Sequence, residues 1–150
     1  MRWCFTDRIH KIENWKSISG RKLSSLEEYC LCEPLGREGV LPETLVVESC
    51  VELLRWLVAV SSDFKKTCMT TSIEEFNLSG ACGMGEALEI IIDLVEHNED
   101  MITARCSVSG RKCGIASGKI QVELCPLAEC FDPAILAEQL KELYGPAHGK

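Results

Sequence analysis

Glu48, Glu52 and Arg55 are the residues of this chain best placed to do chemistry. They recur at i, i+4 and i+7, so a helix brings them onto one face. Around them the run from Gly39 to Ser62 is apolar, with Leu45, Val46, Val47, Cys50, Val51, Leu53, Leu54, Trp56, Leu57, Val58 and Val60 spread about the cylinder. A carboxylate in such surroundings is one whose pKa and reach can be turned to proton transfer. The same spacing also has a plainer meaning, a polar stripe that pairs within itself and faces solvent or a subunit interface. A helix apolar on nearly every side is either a membrane span or one wrapped by protein. Glu48, Glu52 and Arg55 interrupt this run and it falls short of the ~20 largely apolar residues a bilayer needs, so it reads as wrapped. Pro42 stands at its first turn, where a missing N–H costs nothing.

The bulk properties exclude several function classes. A chain of 150 residues is one domain with room for one sizeable core. Hydrophobic residues make up 46% and charged ones 26%, which places it among globular rather than disordered chains. A net charge of −7 argues against nucleic acid, whose binding needs clustered Lys and Arg. The start, MRWCFTDRIHK, has no apolar signal region, so the chain reads as cytosolic. Its ten cysteines include no Cys-x-x-Cys pair and no His cluster, and positions such as Cys50, Cys106 and Cys113 suit small buried hydrophobes. We therefore expect reduced thiols, no metal and no cofactor, with a redox role for Cys30 and Cys32 only weakly signalled.

The elements that must position the carboxylates follow from periodicity and punctuation. Residues 5–23 read as two strands around the turn Glu13–Lys16, and 67–78 as a strand. Residues 80–85 break the pattern. Leu88, Ile90, Ile92 and Leu94 share one parity of a strand over 87–96, and His97–Asp100 is a hairpin turn. Met101, Thr103, Arg105 and Ser107 alternate with Ile102, Ala104, Cys106 and Val108. A turn at 109–112 then leads to a strand over 113–124. This meander needs something to cover, and the helix at about 43–61 is the one element of matching length. The tail has a full set of helix signals: Asp132 as cap, Pro133 at the first position, Gly145 at the end. Its Ile135, Leu136, Leu140 and Leu143 should pack on the body or on a partner chain. The basic doublets Arg21-Lys22, Lys65-Lys66 and Arg111-Lys112 read as solvated turns.

From Phe5 to about Leu124 the sequence resembles the hot-dog-fold 3-hydroxyacyl-acyl carrier protein dehydratases, the FabZ/FabA-like group. Asp7-Arg8-Ile9 looks like that family's first-strand Asp-Arg-Ile/Val, and the segment 28–33 like its acidic-aromatic approach to the active-site loop. Residues 34–48, PLGREGVLPETLVVE, lie without gaps on the family's His-Phe-Pro-Gly-x-Pro-x-x-Pro-Gly-Val-Leu-x-x-Glu. Phe76 and Gly83–Glu86 fall where the family has its Phe and Pro-Gly-Asp. The resemblance implies a single α+β hot-dog domain over 1–150, with a core of about 5–124 and a C-terminal helix at about 132–144. It also implies that Glu48 is the catalytic acid and that Glu43, Val47, Glu52 and Phe76 line the substrate site.

One half of the family's acid–base pair is missing. Pro34 occupies the place of the histidine that abstracts the α-proton, and it has no titratable group. Glu43 replaces the glycine whose N–H meets the thioester carbonyl, and Glu52 replaces a common Gln. None of His10, His97 and His148 falls where the pattern would put a substitute. Three functions stay open: a weak or inactive dehydratase of fatty-acid-type metabolism, an acyl thioesterase using Glu48, or a non-catalytic acyl-binding subunit. The implied partner is an acyl thioester of acyl carrier protein or coenzyme A. The implied assembly is a homodimer or higher oligomer, or a heteromer with an active homologue, since an isolated hot-dog unit leaves a strand edge and half its cleft open.

Overall fold

The computed structural model describes residues 5–25, 40–83, 85–111 and 115–145. Its strands are β1 (Arg8–Glu13), β2 (Ser17–Leu23), β3 (Val40–Leu41), β4 (Lys66–Leu78), β5 (Cys82–Gly83), β6 (Ala87–His97), β7 (Met101–Ser109) and β8 (Ile115–Pro126). Helix α1 runs over Glu43–Ser61 and α2 over Pro133–Leu143, with a short 3₁₀ turn at Leu127–Glu129 between β8 and α2. Six strands form one antiparallel sheet in the order β1-β2-β6-β7-β8-β4, and β3 pairs with β5 alone.

Strand alternation makes the inner face. Leu88, Ile90 and Ile92 of β6 lie beside Ile102, Ala104, Cys106 and Val108 of β7 and Ala116, Ile120 and Val122 of β8, all buried. Val46, Cys50, Leu53, Leu54, Leu57 and Val58 of α1 pack into that surface and are also buried. Each such side chain contributes roughly 1.5–3 kcal/mol on leaving water, so this seam dominates the stability. At Gly20 the helix and β1 come close: a Cβ there would stand 2.6 Å from the Arg8 carbonyl oxygen and 3.0 Å from Leu53 Cδ1. A long helix wrapped by an antiparallel sheet is the hot-dog fold that the sequence led us to expect.

The differences from expectation are local. Residues 80–85 do not simply break the chain, because Cys82–Gly83 form β5, while Gly80 and Gly85 take positive φ values of 124° and 77°. The β6 strand continues through His97, leaving a turn of Asn98–Asp100, where the Asn98 side chain accepts the amides of Asp100 and Met101. Asp132 caps α2 by accepting the Ala134 amide at 2.9 Å. Leu143 is buried and Leu136 and Leu140 pack on the core, but Ile135 is 55% exposed. At ~100° per residue, Ile135 falls well off the line through Leu136, Leu140 and Leu143. Lys22 is the clear correction: its doublet lies in β2, not in a turn, and alternation with Ile18 and Gly20 sends it inward to 1% exposure. Of the cysteines described, Cys50, Cys68, Cys82 and Cys106 are free and buried, as small hydrophobes would be.

Candidate functional site

The carboxylate stripe of α1 opens onto a cavity of about 280 Å³. Glu48, Glu52 and Arg55 line one side with Trp56 and Ala59 beneath them. Phe5 of the N-terminal segment and Thr67 of β4 also line it. Phe131, just before α2, and Leu136 and Gln139 within it form the outer wall. Leu136 of α2 lines the cavity and, with Leu140, packs against the core.

The two glutamates have different environments. Glu48 Oε1 accepts from Arg55 Nη1 at 3.2 Å, and both side chains are a little over a third exposed. One turn further on, Glu52 is largely enclosed, and burial pushes its carboxyl from an ordinary 4.5 up to about 7. Opposing that, the Phe5 amide donates to Glu52 Oε2 at 2.6 Å. Trp56 and the Lys22 charge act in the same direction. Lys22 Nζ lies 5.9 Å from the centre of the Phe5 ring, so β2, the N-terminal segment and α1 meet around this carboxyl. Two neighbouring carboxyl groups, one in a guanidinium pair and one with a near-neutral pKa, can divide base and acid roles between them.

Among the residues expected from sequence, the cavity gathers Glu48 and Glu52. Glu43 is exposed in the first turn of α1, Val47 packs against the core, and neither lines this cavity. Phe76 sits in β4 over Gly118, where a Cβ would stand 2.6 Å from Phe76 Cδ2. Pro34, Cys30, Cys32, Cys113 and His148 lie outside the described residues. His10 Nε2 pairs with Glu89 at 3.1 Å and His97 stacks on Trp15 at a 4.4 Å ring separation, both away from Glu48. Among the described residues no group of three or more His, Cys, Asp or Glu could hold a metal, and no helix is long and apolar enough to cross a membrane. Behind the site, burial pushes Cys68 up to about 12, which leaves its thiol inert at neutral pH.

Lys22, Phe5 and Phe131 are the site residues that the sequence reading missed. Only Lys22 left a usable signal, a lysine in phase with Ile18 and Gly20. Its doublet neighbour Arg21 donates from Nε to Glu89 at 2.6 Å, and Lys66 Nζ donates to the Glu99 carbonyl, so neither side chain reaches the cavity.

No protein-family model and no curated protein matches the sequence, but solved structures match the fold. The Streptococcus mutans protein smu.793, solved bound to acetyl CoA, aligns with a TM-score of 0.66 at 12% identity, over 84% of this chain and 94% of that one. A hypothetical thioesterase from Streptococcus pneumoniae, solved with coenzyme A, aligns at 0.61 and 10% identity over 79% and 85%. The PaaI protein of the E. coli phenylacetic acid degradation operon aligns at 0.61 and 3% identity over 77% and 80%. At these identities the likeness establishes the hot-dog fold.

Proposed function

We propose that this chain binds an acyl thioester at the Glu48–Glu52 cavity and hydrolyses it. The observation that carries the reading is the placing of these two carboxyl groups, in contrasting environments, on one wall of a cavity otherwise lined by Phe5, Trp56, Ala59, Phe131 and Leu136. The apolar lining takes the acyl group. Glu48, oriented by Arg55, takes a proton from the water that attacks the thioester carbonyl. Glu52 carries a proton over much of the neutral range and passes it to the departing sulfur, so the products are a carboxylic acid and a free thiol. Its bond to the Phe5 amide and its contact with Trp56 fix its position, and preorganisation of this kind is what a proton donor needs.

Coenzyme A is the carrier we favour, supported by the acetyl CoA and coenzyme A held by structures of the same fold. Hydrolysis is preferred to dehydration because Pro34 offers no base for the α-proton, whereas hydrolysis asks only for the carboxylates that α1 provides. A second copy of the chain is the expected partner, since among the described residues β4 is a thirteen-residue edge strand paired on one side only. The test is release of free thiol from a panel of acyl-coenzyme A esters, with Glu48→Gln and Glu52→Gln compared separately. Loss of release in both variants, with folding intact, supports the division of roles, and unchanged release in both refutes it.

A further inference from the structure

We propose that Cys125 and Cys130 are a reversible dithiol–disulfide pair that governs how firmly α2 closes the cavity. The two lie at the ends of the turn that joins the sheet to α2, Cys125 in the last turns of β8 and Cys130 just past the 3₁₀ turn. The two thiols stand close enough to act on each other, and neither is in a disulfide. They are also reachable, Cys130 being exposed and Cys125 partly so, whereas Cys50, Cys68, Cys82 and Cys106 are buried.

The turn between them is held by its own geometry. Leu127 is fully buried and donates its amide to the Lys65 carbonyl at 2.9 Å, while the amides of Cys130 and Phe131 both return to the Leu127 carbonyl at 2.9 Å. The residue after Cys130 is Phe131, which with Leu136 and Gln139 makes the outer wall of the cavity. Leu127 thus anchors the short connection, while Leu136, Leu140 and Leu143 hold α2 itself to the core. A covalent bond across that connection removes freedom from the start of α2.

Hydrogen peroxide is an oxidant class that suffices. The Cys130 thiolate attacks one peroxide oxygen, the O–O bond breaks, and a sulfenic acid forms with release of water. The Cys125 thiolate then attacks the Cys130 sulfur, the S–S bond forms, the S–O bond breaks, and the second oxygen leaves as water. Two thiols have lost two electrons and two protons, and one peroxide has become two waters. A dithiol reductant reverses the step.

The test treats the full chain with hydrogen peroxide, alkylates the remaining thiols and maps every cysteine by mass. Expected is a linked peptide holding Cys125 and Cys130, lighter by two hydrogens, restored by dithiothreitol and absent in Cys130→Ser. Amide exchange over 133–143 should slow several-fold on oxidation in the wild type and not in Cys130→Ser. Sulfinic acid at Cys130 with Cys125 still open to alkylation, or a Cys130 link between two chains, would overturn the pairing. A formed disulfide with unchanged exchange over α2 would overturn the control of the wall. These readouts do not depend on thioester turnover, so they stand or fall apart from the hydrolase reading.

Discussion

The Phe5 amide donates to Glu52 Oε2 at 2.6 Å, and this bond ties the N-terminal segment to the middle of the central helix. It gives a buried carboxyl a fixed direction and keeps one oxygen engaged. Burial still outweighs the donors around it, and the net effect is a group that titrates near neutral pH.

That shift has a thermodynamic consequence with a definite sign. Between pH 4.5 and about 7 the folded state holds a proton on Glu52 that the unfolded state has released. Stability from this group is therefore fully present below the unfolded value and is lost as pH rises through the folded one, by at most roughly 3 kcal/mol. Glu52→Gln should match the wild type near pH 4 and exceed it in denaturant midpoint at pH 8. Equal destabilisation at both pH values would show that the carboxylate is not buried at a cost.

Gly118→Ala should destabilise the fold by about 1–3 kcal/mol. The added Cβ would meet Phe76 at its ring, 2.6 Å away, and at its Cα, 3.1 Å away, and the backbone contact cannot be relieved by a rotamer change. Thermal unfolding of the variant beside Ser117→Ala, an exposed neighbour, measures the difference.

Most of the frame was legible in the sequence because its signals are local. The apolar run fixed α1 at Glu43–Ser61, the parity of Leu88, Ile90 and Ile92 fixed β6, and Asp132-Pro133 fixed the start of α2. The two-residue strand Cys82–Gly83 was not legible, since among the described residues its support is a distant partner, Val40–Leu41. The site divides in the same way. Glu48 and Glu52 declare themselves by helical spacing, whereas Phe5 and Phe131 reach the cavity through tertiary folding and leave no periodic trace. Glu52 was read as a neighbour of the acid, and only the enclosure by Phe5, Thr6 and Trp56 reveals its near-neutral carboxyl.

Light scattering should give a dimer or larger at micromolar concentration. The edge strand β4 presents Met69 at 62% and Ile73 at 44% exposure, which is apolar surface beside unpaired backbone. Breaking the edge with Ile73→Lys should shift the mass toward a monomer, and a wild-type monomer would contradict the expectation.

The most direct measurement is simultaneous detection of free thiol and of enoyl product from one 3-hydroxyacyl-coenzyme A ester. The account predicts thiol release without dehydration. It also predicts that Glu48→Gln lowers that release by about 10²–10⁴-fold while shifting stability by less than about 1 kcal/mol, as befits a partly exposed ion pair. Dehydration without thiol release, surviving Glu48→Gln, would contradict both the reaction and the site.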